Sequence, residues 1–316
     1  MAVRCERTIV RAAIFTLALL VSGQAGATFS ISACDTDGSC GVAVATNNLA
    51  VGASVPFARA KVGAIAAQFE TNPAHGVRGL ALLANGVTPA QTLARILAED
   101  GNFEGLSVNF RQTAIVGMSG EAAEFTGREA RAAAWAGGRH GERYAVIGNG
   151  LTGEDVLAAM ESTFRNSRGS LDARLLAALE AGQAAGGQSI GTMSAVLLVR
   201  TPEGGFADTD LRVDAAPEPV KELRRLFNLR QAHAAMLDAE RAARDGRRRD
   251  ALASLDKAMQ LGNSWDRIVR RGARLSLLLG DRERALRLFT RFTELNPKWA
   301  AIDRSDDFYT PLFGTH

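Results

Sequence analysis

Aromatic side chains are scarce in this 316-residue chain: they make up 6% of it, with three Trp and two Tyr. A core short of rings closes by bringing backbones together, which fits the 32 glycines and the many alanines. The four histidines (His75, His140, His233 and His316) are scattered, and none stands at metal-ligand spacing from the three cysteines. No G-x-x-x-x-G-K-[ST] loop, strand-linked G-x-G-x-x-G or H-E-x-x-H occurs. A serine nucleophile elbow is missing too, although a Ser-His-Asp arrangement built from distant residues stays open. Metal-assisted and nucleotide-dependent chemistry therefore have no sequence support, and no metal or cofactor is expected. Beyond residue 27 no apolar run reaches the roughly 18 residues a membrane-spanning helix needs.

What is present begins with an export leader. Arg4, Arg7 and Arg11 give a positive start, Ala12 to Val21 is a short apolar run, and Ala25-Gly26-Ala27 is a small-residue cleavage site. The expectation is a periplasmic or secreted protein whose residues 1–27 are removed; an uncleaved N-terminal anchor is the alternative. No cysteine lies at the cleavage site, so a lipid anchor is not expected. Cys5 would leave with the leader. Cys34 and Cys40 flank Asp35-Thr36-Asp37-Gly38-Ser39, a turn between two strand-like runs, so in an oxidising compartment they are expected to form a disulfide. Two free thiols are the alternative.

Charge divides the chain. Residues 28–220 hold 14 Lys and Arg against 20 Asp and Glu; residues 221–304 hold 20 against 11. Export and the acidic first part speak against nucleic-acid binding. The basic second part is either a solvated helical surface or a face for an acidic protein partner. Self-association is left open.

Strand-like runs cover Thr28–Cys34, Cys40–Thr46, Leu49–Val55 and Val62–Phe69. Helices are predicted over 76–85 and from Thr88-Pro89-Ala90-Gln91, a capping box, to Glu99. Strands return at Leu106–Phe110, Thr113–Met118, Ala122–Thr126 and Tyr144–Gly148; helices follow near 154–164 and 171–184, then strands at Thr192–Arg200 and Leu211–Val213. Blocks of strands separated by helix pairs predict an α+β fold, a four-layer αββα sandwich over residues 28–226. From Pro217 strand signals stop. Gly246, Ala251, Leu261 and Trp265 recur 34 residues later as Gly280, Ala285, Leu295 and Trp299, the period of tetratricopeptide hairpins. An all-α helical-repeat region with a C-terminal tail is thus predicted over 227–316, with a helix from 217 to 236 packing on it or on the first domain.

Five segments, TFSISACDTDGSCGVAVAT, QFETNPAHGVRGLALLANG, IGNGLTG, LLAALEAGQAAGGQ and DLRVDAAPEPVKELRRL, resemble the domain-of-unknown-function 1028 family over about residues 28–226. The resemblance implies a fold related to the N-terminal-nucleophile (Ntn) hydrolases and specifies no substrate. Members usually open with Met-Thr-Phe-Ser, so losing Met there exposes the same threonine that leader cleavage exposes here. Departures are His75, where an aromatic is common, Gln188-Ser189-Ile190 after the Gly-Gly loop, where charges are common, and Lys61, at a commonly small position.

An N-terminal threonine offers Oγ as nucleophile and its own α-amine, of pKa about 8, as base. Thr28 is accordingly the candidate catalytic residue; the alternative is that it merely begins a strand. Asn149, between two glycines, and Asn72 are candidates to hold an oxyanion, with a turn asparagine and a helix cap as the respective alternatives. Lys61 lies near the spacing of the lysine that assists the threonine in proteasome-like Ntn enzymes. Gln68, Thr71, Gly186 and Gly187 are candidate substrate-binding positions. Two readings follow. One is an exported Ntn-type amidohydrolase acting on a small amide or peptide-like bond. The other is a non-catalytic envelope module whose helical repeats dock a protein partner.

Overall fold

The computed structural model describes residues 27–132 and 134–314, so residues 1–26 of the predicted leader lie outside the described residues. Its strands are β1 (Thr28–Cys34), β2 (Cys40–Thr46), β3 (Pro56–Arg59), β4 (Gly63–Phe69), β5 (Arg111–Gly117), β6 (Ala123–Thr126), β7 (Trp135–Gly141), β8 (Tyr144–Leu151), β9 (Ser194–Arg200) and β10 (Thr209–Val213). Among them fall helices α1 (Pro73–Ala84), α2 (Pro89–Ala98), α3 (Arg128–Ala132), α4 (Asp155–Asn166) and α5 (Leu171–Ala184). The C-terminal part is helical: α6 (Pro219–Arg244), α7 (Arg248–Gly262), α8 (Asp266–Leu278), α9 (Arg282–Leu295), α10 (Pro297–Arg304) and α11 (Thr310–Phe313). None of the described helices is long and apolar enough to cross a membrane.

Two antiparallel sheets form the first part. The larger has the order β10-β9-β2-β1-β8-β7 and the smaller β3-β4-β5-β6. Strand alternation sorts the side chains of β1. Phe29, Ile31 and Ala33 pack with Leu157, Met160, Leu175 and Leu179 of α4 and α5. Cys34 joins Cys40, Val42, Val44, Ala64, Ala66, Val116 and Ile147 between the sheets. On the far face of the smaller sheet, Ile65 and Ile115 meet Leu93 and Ile96 of α2. Packing thus runs helix pair, sheet, sheet, helix pair. Valine and alanine fill the zone between the sheets, with Ile147 the largest side chain of that cluster. At Gly76 of α1 an added Cβ would sit 2.1 Å from the Phe57 ring.

The Cys34–Cys40 disulfide closes the β1–β2 hairpin, where the two residues are paired in register with Cα atoms 4.1 Å apart. Gly38, at φ +98°, makes the turn possible.

Several elements differ from expectation. The predicted strand Leu49–Val55 is a 3-10 turn over Val51–Ala53, and the strand is instead Pro56–Arg59, which pairs with β4 at the sheet edge where proline is tolerated. Leu106–Phe110 is likewise not a strand; Val108–Phe110 is a 3-10 turn leading into β5. Strand β7, WAGGRHG, has no apolar alternation to betray it. It pairs with β8 at the edge of the larger sheet, with a register shift between Trp135 and Gly137.

Helix α6 joins the two parts without a linker. Val220, Leu223 and Phe227 belong to the cluster under the larger sheet, while Ala232, Ala235, Met236 and Ala239 belong to the next cluster along the helical part. The 226/227 boundary therefore falls inside one continuous helix. The 34-residue period marks two helical hairpins, α6–α7 turning at Gly246 and α8–α9 turning at Gly280, both glycines left-handed. Ala251 and Ala285 are fully buried inside them.

Candidate functional site

Thr28 opens β1 near the middle of the larger sheet. Its neighbours in register are Thr46 on β2 and Asn149 on β8, and Ser194 on β9 lies beyond Thr46. Directly opposed residues share a sheet face. A polar row, Asn149–Thr28–Thr46–Ser194, therefore crosses one end of the sheet, and every member is buried. The facing sheet presents a second row, Gln68, Gln112 and Thr126, neighbours across β4, β5 and β6.

The rows are joined by hydrogen bonds. Gln68 Nε2 donates to the Thr28 carbonyl at 3.3 Å and to Gln112 Oε1 at 2.8 Å, and Gln68 Oε1 accepts from Ser30 Oγ at 2.7 Å. Asn149 Nδ2 also donates to Gln112 Oε1 at 2.8 Å. Gln112 Nε2 lies 2.8 Å from the Gly148 carbonyl and 3.0 Å from Thr126 Oγ1. Asn149 Oδ1, though fully buried, has no donor among the described residues. The amide nitrogen and oxygen of the Gln188 side chain, 5% exposed, are unpartnered among the described residues as well.

Around the Thr28 hydroxyl the proton count is decisive. Thr46 Oγ donates to the Ala27 carbonyl at 2.7 Å, which uses its single proton. Thr28 Oγ, 3.0 Å from Thr46 Oγ, is therefore the donor in that pair. The Ala27 carbonyl also receives the Asn47 N–H at 3.4 Å. Ala27 itself is 2% exposed, and its methyl would be 2.5 Å from a Cβ placed on Gly150, whose φ is +62°.

The loop after α5 closes the same end. Gly187 O accepts from Thr152 N, Ser189 N bonds the Gly150 carbonyl, and Asn47 Nδ2 donates to Ile190 O. Gly186, at φ +112°, lies against the Thr152 side chain. The loop thus runs from Gly150 on one side of Ala27 to Asn47 on the other.

Of the residues predicted from sequence, Thr28, Asn149 and Gln68 come together, and the loop containing Gly186 and Gly187 borders them. Asn149 lies inside β8 and not in a turn after it. Thr71 bonds back to the Ala67 carbonyl and stays outside the network. Asn72 caps α1 by accepting from Ala74 N and donates to Asp100 Oδ1, so it is not free to hold an oxyanion. Lys61 is misplaced for any role on Thr28. It is exposed, and its N–H bonds Gly38 O in the β1–β2 turn. That turn is at the other end of β1, about 20 Å away at the usual rise per strand residue. Facing Thr28 is Gln68 instead. Sequence reasoning missed Thr46 and Gln112; Gln112 fell between the predicted strands Leu106–Phe110 and Thr113–Met118, whereas it lies inside β5.

A second buried cluster lies behind β5. His75 Nε2 is 2.9 Å from Asp100 Oδ1, off the line of a good hydrogen bond, and its Nδ1 is 3.5 Å from Thr113 Oγ1. Arg111 Nε bonds Asp100 Oδ1 at 3.0 Å, and its NH2 reaches the Phe103 and Leu106 carbonyls. Burial pushes the His75 imidazole below its ordinary value, outweighing the pull of Asp100. Burial opposes the Asp100 carboxylate, but hydrogen bonds from Arg111 and Asn72 hold its pKa below the usual range. The Thr113–His75–Asp100 sequence looks like a catalytic triad, yet all three are buried at 6% exposure or less. A largely open cavity of about 540 Å³ lies at the disulfide end of the molecule, lined by Asp37, Glu203, Phe206 and Arg230 among others.

The sequence matches the model of a family of unknown function, DUF1028, over residues 28–223. The chain belongs to the DUF1028 family. A solved DUF1028 structure, a protein from Silicibacter pomeroyi, is 32% identical with a TM-score of 0.57, covering 64% of this chain and 84% of that one. Among curated proteins none matches. The DUF1028 match starts at Thr28 and ends in the first turns of α6, so the polar rows lie wholly inside it and the helical hairpins beyond it.

Proposed function

We propose that the DUF1028 domain is an Ntn-type amidohydrolase, exported and cut between Ala27 and Thr28, in which Thr28 is the nucleophile. The reading is supported by one arrangement above all: Thr28 heads a central strand with its hydroxyl against Thr46 and with Asn149, whose Oδ1 lacks a donor among the described residues, beside it. Cutting would create an α-ammonium at that point, and an orphaned buried acceptor is costly unless such a donor arrives. Oγ would attack the amide carbonyl while the α-amine takes its proton and later gives it to the leaving amine. The helix–sheet–sheet–helix stacking is compatible with an Ntn-like sandwich. The two helical hairpins of 34-residue period are read as tetratricopeptide-like, a surface for a protein partner.

The alternative of a non-catalytic envelope module draws on the 3% exposure of Thr28. Intact-mass and N-terminal analysis of the exported protein separates the two. A start at Thr28, with hydrolysis of an acyl-amide panel lost in Thr28→Ala, is expected. Any other start removes the free amine and with it the hydrolase reading.

A further inference from the structure

The carbonyl of Ala27 is held by two donors, Thr46 Oγ–H at 2.7 Å and Asn47 N–H at 3.4 Å. Oγ and the backbone nitrogen of one threonine are three bonds apart, so a carbonyl that Oγ attacks must lie beside that nitrogen. That is the space the Ala27 carbonyl fills. Resting on the hydrolase reading above, we infer that Thr46 Oγ and Asn47 N–H form the oxyanion hole, and that the cage around the Ala27 methyl is the acyl-side pocket, admitting substrates whose scissile carbonyl belongs to a glycyl or alanyl residue.

The donors are preorganised. Asn47 N–H belongs to the chain leaving β2. Thr46 Oγ accepts from Asn48 N at 3.3 Å and from the Thr28 hydroxyl, and these two bonds leave the single Thr46 proton aimed at the carbonyl. In the reaction Thr28 Oγ bonds the carbonyl carbon and its proton passes to the α-amine. The carbonyl oxygen, now negative, lies between the two donors. Collapse breaks the C–N bond and the proton leaves with the amine, giving an acyl ester on Oγ. Water then hydrolyses that ester to the carboxylic acid and restores the hydroxyl.

Pocket size follows from Ala27 itself. It is 2% exposed, its methyl abuts Gly150, and the loop from Ser189 to Gly191 ties Gly150 to Asn47. A branched or aromatic side chain on the acyl residue has nowhere to go.

The test is acylation of the exported protein by p-nitrophenyl esters of acetyl-glycine, acetyl-alanine, acetyl-valine and acetyl-phenylalanine, followed by intact mass and peptide mapping. Glycyl and alanyl esters should label Thr28 faster than the valyl and phenylalanyl esters by about tenfold or more. Thr46→Val should slow labelling about 100-fold, the effect of losing one oxyanion donor, and Thr46→Ser should restore most of it. If Thr28 is labelled without regard to side-chain size, the pocket assignment falls. If Thr46→Val labels like the parent, the donor assignment falls, the hydrolase reading surviving in both cases. If no ester labels Thr28, both fall together.

Discussion

Asn149 Nδ2 donates to Gln112 Oε1 at 2.8 Å, tying the sheet that carries Thr28 to the one that faces it. Gln112 is the hub of the network, since the same oxygen accepts from Gln68 and its Nε2 reaches the Gly148 carbonyl. Gln112→Leu should therefore strand two buried donors and remove the bonds to the Gly137 and Gly148 carbonyls, lowering stability by about 3 kcal/mol. A urea titration should show the midpoint falling with the m-value unchanged. The double variant Gln112→Leu/Asn149→Leu should lose less than the sum of the single variants, because one stranded donor is gone. Strict additivity would mean the two side chains are not coupled.

The cluster behind β5 makes a pH prediction. The folded pKa of His75 lies below its ordinary 6.5, so the unfolded chain binds a proton there before the native one does. Stability should hold above that value and fall as pH drops through the window beneath it. Asp100, also lowered, adds a further loss at more acidic pH, as its carboxylate protonates on approach to its folded pKa. His75→Phe should remove the first limb, read as unfolding free energy between pH 7 and pH 5, and leave the second, read below the ordinary Asp value of 3.8. A parent whose stability is flat there would contradict the assignment. Truncating Arg111 to Met should cost about 3–5 kcal/mol, since it leaves the buried Asp100 carboxylate without its partner.

How much of this was legible in the sequence depends on the range of the signal. The β1–β2 hairpin was readable because alternation, an Asp-Gly turn and two cysteines all lie within twenty residues. Helix α2 was readable from its cap, and α5 from its apolar content. Strand β7 was not, because two adjacent glycines erase the alternation. The site divides the same way. Thr28 stood out by its position at a cleavage motif and Asn149 by its flanking glycines. Gln112 carries no local mark; its importance comes from pairing with Gln68 on β4 and facing Asn149 on the other sheet. Lys61 failed for a related reason. Its distance along the chain from Thr28 suited an activating role, but β1 runs away from Thr28 toward the turn where Lys61 sits.

The Cys34–Cys40 disulfide spans six positions of sequence, so its loop is small. Chain-entropy arguments give it about 2 kcal/mol. Cys34→Ala/Cys40→Ala should lower the unfolding free energy from a urea titration by that amount while leaving acylation of Thr28 intact, because the bridge is at the opposite end of β1. If reduction abolished labelling, the two ends of the strand would be coupled more tightly than the packing suggests.

Helix α6 carries the last prediction. Phe227 packs under the larger sheet and Ala232 packs in the helical part, with Asn228 between them on one uninterrupted helix. Continuity of this kind transmits cooperativity, because neither cluster can lose the helix without exposing the other's contacts. The parent should therefore melt in one calorimetric transition. Asn228→Pro removes one helical hydrogen bond and sets a ring against the preceding turn, at a cost of about 3 kcal/mol confined to the junction. It should split the transition in two, the hairpins melting first because they lack the disulfide and the two-sheet core. A single transition merely shifted to lower temperature would instead locate the coupling in the Arg230 contacts to the Ala207 and Asp208 carbonyls, which bridge the same parts outside the helix.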